Sequence, residues 1–257
     1  MQSIGDNDYR SEREEQMKYS IKVSEVKNGS ENLKGLATVV LGDSFKLGNI
    51  AIMNDPNKNQ FFVSMPSYKS NQMDEQQNAV YKDIFNPTTA QFRKELYDNI
   101  LSAFNELQEH QAGNSYRVNI NEKDTTMPEF SVRVTPYEKE NSNIKALASI
   151  HIENCLAVNN ITVNESKEGN LYVSMPSYKS KQLDDQGKAV YKDICNPVTG
   201  KFHDKLYGAI LNSYEQAKEQ SKASVVGKIN ENKETLSRQS ADKPEKEKHQ
   251  PNRDEAR

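Results

Sequence analysis

The string VSMPSYKS occupies residues 63–70 and recurs letter for letter at 173–180. An internal repeat of that length constrains the fold more than composition does, because both copies are expected to follow one structural plan. The match runs without a gap from Val63–Leu101 onto Val173–Leu211, with 25 of 39 positions identical. Upstream, YSIKVSEVKNGSENLKGLAT (19–38) aligns on FSVRVTPYEKENSNIKALAS (130–149). The offset there is 111 against 110 downstream, so one residue was gained or lost near residues 54–60. An indel marks a surface turn, and NDPNKNQ has turn composition.

Each copy runs in the same order. Short β-rich stretches come first, at Ile21–Val26, Gly35–Leu41, Phe45–Met53 and Phe61–Met65, with turn residues between them. Pro66 and Pro176 cannot donate to a sheet ladder and are expected to end their strands. The polar stretch SYKSNQMDEQQNAV reads as a loop, followed by the short run YKDIF. A helix closes the copy. Asn86-Pro87 and Asn196-Pro197 offer an N-cap and a Pro at the first helical position. Apolar residues then recur at Phe92, Leu96, Ile100, Phe104 and Leu107, and at Phe202, Leu206, Ile210 and Tyr214. That spacing is one stripe of an amphipathic helix.

The fold class expected is α+β: two tandem copies of a small antiparallel-sheet domain with a C-terminal helix, forming an intramolecular pseudo-dimer. The boundaries read as a flexible arm at 1–16, a first domain at 17–108, a linker at 109–129, a second domain at 130–220 and a mostly disordered tail at 221–257. The tail is almost free of apolar residues from Leu236 onward. A weak echo of INEKDTT (120–126) in INENKET (229–235) suggests that the duplicated unit extends past the helix. A linker of that length covers about 25 Å root-mean-square, enough to join neighbouring domains. Joining two copies of a two-fold dimer would raise the effective concentration of one half for the other.

Several function classes are disfavoured. No apolar run approaches the roughly 18 residues needed to cross a bilayer. The N-terminus is polar and acidic, unlike a signal peptide. The two cysteines, Cys155 and Cys195, both lie in the second copy, opposite Ser44 and Phe85 in the first, so no disulfide was duplicated. The expectation is a reduced, cytoplasmic protein with no membrane contact and no cofactor. The four histidines are scattered, and no His or Cys ligand is shared by the copies, which argues against a metal site and against a hydrolase. Asp83 and Asp193, with Asp74 or Asp184 upstream, are the one carboxylate pattern common to both copies, and a structural role fits them better. The net charge is −3. Residues 17–107 carry ten basic and ten acidic side chains, and 130–220 carry eleven of each, so any nucleic-acid site is a local patch.

The run FFVSMPSYK with YKDIFNP, and again LYVSMPSYK with YKDICNP, resembles the SpoVG family of septation and sporulation regulators. The resemblance covers both copies and leaves out the arm and the tail. It implies an antiparallel sheet with a C-terminal helix, a homodimer condensed here into one chain, and a bacterial regulator that binds DNA and RNA and is not an enzyme. The family's basic determinants fall on Lys69 and Lys179, on Lys82 and Lys192, and on Arg93. At the last position the second copy has His203. Tyr68 and Tyr178 stand where the family has a first loop cation, and Asn86 and Asn196 replace its His before the Pro.

The residues themselves allow two readings. Lys69, Lys82 and Arg93 lie near loop ends or a helix start, where cations meet phosphates. Tyr68 and Tyr178 beside Lys69 and Lys179 have the make-up of a stacking-plus-charge site for single strands. The alternative is that these side chains decorate solvated loops, and that the chain is a protein-interaction or assembly module without nucleic-acid affinity. The balanced charge and the Tyr and His replacements point that way.

Overall fold

The computed structural model describes residues 17–27, 30–110, 114–121, 127–137 and 139–241. The first repeat contains β1 (Tyr19–Glu25), β2 (Leu33–Leu41), β3 (Phe45–Asp55), β4 (Gln60–Ser64), β5 (Ser67–Met73), β6 (Ala79–Asp83), β7 (Phe85–Pro87) and α1 (Ala90–His110), followed by β8 (Ser115–Ile120). The second contains β9 (Phe130–Pro136), β10 (Ile144–Ile152), β11 (Leu156–Glu165), β12 (Leu171–Ser174), β13 (Ser177–Leu183), β14 (Ala189–Asp193), β15 (Cys195–Pro197) and α2 (Gly200–Ala241). Both repeats lie in one compact unit that ends at Tyr214; the remainder of α2 belongs to a second unit.

Period-two alternation makes the sheets. Tyr19, Ile21 and Val23 point inward and are buried, while Ser20, Lys22 and Ser24 face out. Strands β1 to β4 form an antiparallel meander, as do β9 to β12. Asn49 and Asn160, at φ 59° and 60°, sit beside register shifts in the β2–β3 and β10–β11 ladders. Asn tolerates this left-handed conformation better than most residues, which suits a bulge. The helix stripes cover the inner faces through Leu96, Ile100 and Phe104 and through Leu206 and Ile210, all fully buried.

The repeats are joined by a reciprocal strand exchange. β7 of the first repeat pairs with β11 of the second, Phe85 opposite Val158 and Pro87 opposite Leu156. β15 of the second pairs with β3 of the first, Cys195 opposite Leu47 and Pro197 opposite Phe45. Flanking bonds continue both ladders: Asn159 N donates to Ile84 O at 2.7 Å, and Gly48 N donates to Ile194 O at 2.7 Å. Phe85 and Cys195 are buried at these junctions. Phe202 meets Phe45 of the other repeat edge-on, with ring centroids 6.0 Å apart, and Phe130 of its own at 5.5 Å. The cores therefore merge into one cluster. This is the pseudo-dimer that the repeat implied.

Four local readings change. Asn86-Pro87 and Asn196-Pro197 are strand residues, and the caps are Thr89 and Thr199, whose Oγ1 atoms accept from Phe92 N at 3.2 Å and Phe202 N at 3.3 Å. The polar stretch after Pro66 is a hairpin, β5–β6, and its counterpart is β13–β14. The segment read as a linker carries β8, which pairs along the whole free edge of β1 and turns Tyr116, Val118 and Ile120 toward the core. Helix α2 continues to Ala241, into the segment expected to be mostly disordered. The arm at 1–16 and the end of the tail at 242–257 lie outside the described residues. Among the described residues no strand pairs with the second edge of β9, the counterpart of the edge that β8 covers.

Candidate nucleic-acid interface

Register decides which site residues share a surface. In the β5–β6 hairpin Tyr68 stands opposite Lys82, and Lys69 opposite Tyr81. Directly paired residues project from the same face, and neighbours along a strand from opposite faces. Each hairpin face therefore carries one Tyr and one Lys. The second hairpin repeats the pattern, with Tyr178 opposite Lys192 and Lys179 opposite Tyr191. Lys69, Lys82, Lys179 and Lys192 are all exposed and have no hydrogen-bond or ion-pair partner among the described residues. Tyr81 and Tyr191 are each 65% exposed, and Tyr178 is 38% exposed, whereas Tyr68 leans on the core.

The hairpin tips are closed by side-chain hydrogen bonds to the backbone. Asp74 Oδ1 accepts from Gln76 N at 2.9 Å and Asn78 N at 2.7 Å; Asp184 Oδ1 accepts from Gln186 N and Lys188 N at the same two distances. The bonds from Asn78 hold the Asp74 carboxyl below its usual range. These carboxylates close turns. At the hairpin base, burial pushes the Asp83 and Asp193 carboxyls up, opposed by the Arg93 guanidinium beside the first and Lys46 beside the second. Among the described residues no three His, Cys, Asp or Glu side chains gather as a metal site. Nor is any described helix long and apolar enough to cross a membrane.

Arg93 is engaged within the fold. It sits in the first turn of α1, and its Nη2 donates to Pro87 O, the carbonyl ending the exchanged strand, at 3.0 Å. Its counterpart His203 instead lies 3.0 Å from Asp204 Oδ1 and meets Tyr207 in a tilted contact, 4.0 Å between centroids. The structure thus brings Tyr68 next to Lys82 and Tyr178 next to Lys192, and sets Lys69 and Lys179 on the opposite hairpin faces.

Sequence reasoning missed Tyr81 and Tyr191, although YKD read as a strand makes them partners of Lys69 and Lys179. It also missed Arg133. The first hairpin and the outer face of the second repeat's sheet bound a cleft of about 380 Å³, lined by Tyr68, Lys82 and Asp83 on one side and by Arg133, Leu147 and Asn160 on the other. Arg133 faces outward from β9 at an alternating position, the one signal in the sequence that would have marked it as solvent-facing.

Comparison with known proteins fits this architecture. The SpoVG family model matches the chain twice, over residues 17–106 and 127–216. A protein of Thermoanaerobacter sp. (strain X514) that carries the name septation protein SpoVG is 37% identical over 92 residues, covering 36% of this chain and 91% of that protein. A protein of the same name from Treponema denticola is 35% identical over 85 residues, 33% of this chain and 83% of that protein. One from Archaeoglobus fulgidus is 33% identical over 78 residues, 30% of this chain and 84% of that protein. These relatives are the length of one repeat, while the two matched segments together span most of this chain. With both repeats matched, the chain belongs to the SpoVG family as a tandem duplication of its domain.

Proposed function

We propose that this chain is a non-enzymatic, cytoplasmic regulator of bacterial gene expression, linked to septation and sporulation, that acts by binding DNA or RNA through its two hairpins. The observation that carries this reading is the doubled Tyr–Lys pair on each hairpin, four exposed lysines without partners beside four tyrosines. Unspent cations suit phosphates, which dominate affinity, and exposed rings suit bases. The septation name of the relatives supports the cellular setting.

A second reading, an assembly module with the same fold, draws support from Arg93, which donates from Nη2 to Pro87 O within the fold. Anisotropy titration with labelled single- and double-stranded DNA and RNA at about 50 and 200 mM salt separates the two. The first reading expects binding that weakens steeply with salt. Replacing Lys69, Lys82, Lys179 and Lys192 together by Ala should lower the log–log salt slope by about 0.9 on duplex DNA, and about 0.7 on single strands, for each phosphate that is no longer neutralised. No binding of any probe at micromolar protein leaves the assembly reading.

A further inference from the structure

The cleft beneath the first hairpin is made by both repeats, so it exists only because the chain is folded across the exchanged strands. One wall is the Tyr68–Lys82 face of the hairpin. The other is the outer face of β9–β11, where Leu147 is 43% exposed and Arg133 has no hydrogen-bond or ion-pair partner among the described residues. The wall holding Asn159 is fixed: its Nδ2 donates to Asp83 O at 3.4 Å, and its backbone N to Ile84 O at 2.7 Å.

We propose that this cleft seats one unstacked nucleotide of a single strand, with its phosphate on Lys82 and Arg133 and its base against Tyr68 and Leu147. This rests on the nucleic-acid reading above and narrows it. A space of about 380 Å³ lies near the low end of small-molecule sites and holds one nucleotide, not a duplex. Two unpaired cations on opposite walls suit a phosphate held from both sides, and an aromatic ring and an exposed leucine lining the same cleft offer apolar surface to a base. The carboxylate of Asp83 repels the phosphate and accepts from an exocyclic amino group, so it orients the nucleotide. A base within a duplex would first have to leave its stack, so the cleft favours single strands.

The second composite site differs. Across the second hairpin, the position of Arg133 is taken by Lys22 and that of Asn159 by Gly48, so the fork of donors and the side-chain amide are both missing there, although Gly48 N still donates to Ile194 O. A planar fork grips a phosphate in two places where an ammonium offers a point charge.

The test uses the full chain with Arg133→Ala and Arg133→Lys, titrated with single-stranded DNA and RNA of about ten nucleotides, a length typical of single-strand sites, and with duplexes of the same sequence. Arg133 is exposed and unpaired, so the fold is expected to hold, as circular dichroism will report; Leu147→Ser, on the same outer face, serves as a second variant. Arg133→Ala should weaken single-strand binding about tenfold more than duplex binding, with Arg133→Lys in between, and Leu147→Ser should show the same preference. Equal loss for both probes, or no loss for either, overturns the cleft and leaves hairpin binding intact. Binding of neither probe by the parent chain overturns both readings together.

Discussion

Gly35 and Ala146 hold the same position in β2 and β10, each in the last pair of the ladder with the first strand of its repeat. A Cβ on Gly35 would come within 2.6 Å of Phe104 Cε2 and 3.1 Å of Ser24 O. Phe104 is fully buried and also meets Phe61 edge-on at 5.4 Å. In the second repeat the same three places read Ala146, Tyr214 and Leu171. A methyl was gained on the strand where an aromatic ring was given up nearby, which keeps the packed volume roughly constant. Gly35→Ala should therefore destabilise the protein by about 1–3 kcal/mol. Adding Phe61→Leu should recover part of that loss, because the freed space lets Phe104 move. A denaturant series on the two single variants and the double variant measures the coupling; strictly additive losses would contradict it. A second exchange is as concerted. Tyr19 donates its hydroxyl to Glu95 Oε1 at 3.0 Å and accepts from Asn99 Nδ2 at 2.8 Å. The second repeat has Phe130, Lys205 and Ala209 there, and Lys205 Nζ sits 5.4 Å from the Phe130 ring centroid. A hydrogen-bonded triad became a cation over a ring, with no buried polar group left unpaired.

Elements were legible where one face is buried. The alternation of Ile21 and Val23, and the stripe through Leu96 and Ile100, read directly as strand and helix because burial imposes a period. The hairpins had no such signature: most of β5 and β6 is exposed on both faces, so their sequence looks like a loop. The three-residue strands β7 and β15 are too short to show a period, and their partners lie in the other repeat. For the same reason Arg133 was invisible as a site residue, since its importance comes from a hairpin far upstream in the chain. β8 was hidden in a stretch judged by its flanks, although Tyr116, Val118 and Ile120 alternate. That strand leaves a measurable asymmetry. β1 is paired on both sides, by β2 and β8, and its inward residues are fully buried. β9 is paired with β10 alone, and its inward Val132 and Val134 are only partly buried. Hydrogen exchange should therefore find every amide of β1 protected but only alternate amides of β9, those bonded to β10, with the rest exchanging like loop amides. Uniform protection along β9 would mean that its second edge is covered in solution.

At the scale of the whole molecule, each repeat completes a sheet of the other. β3 offers one edge to β2 and divides the other between β4 and the exchanged β15, and β11 divides its own between β12 and β7. Each repeat thus leaves a half-edge that only the other repeat fills, and an unfilled edge is a template for association. Filling it from within the chain needs no encounter of two molecules, because the tether holds the partner strand at high effective concentration. The intact protein is therefore expected to sediment as a single chain of 29.2 kDa. A first repeat isolated as residues 17–121 loses this internal partner. Its Phe85 would surrender the burial that β11 and the joined core provide, a loss of about 1.5–3 kcal/mol for one large apolar side chain. The remedy is available in a second copy, with β7 placed on the other molecule's β3 so that Phe85 lies opposite Leu47 and Pro87 opposite Phe45, as Cys195 and Pro197 do in the intact chain. The isolated repeat should accordingly sediment at twice its own mass, and a charged residue in place of Phe85 should abolish that association. An isolated repeat that is folded, monomeric and as stable as the parent would show that the exchanged strands are not what holds the two halves together.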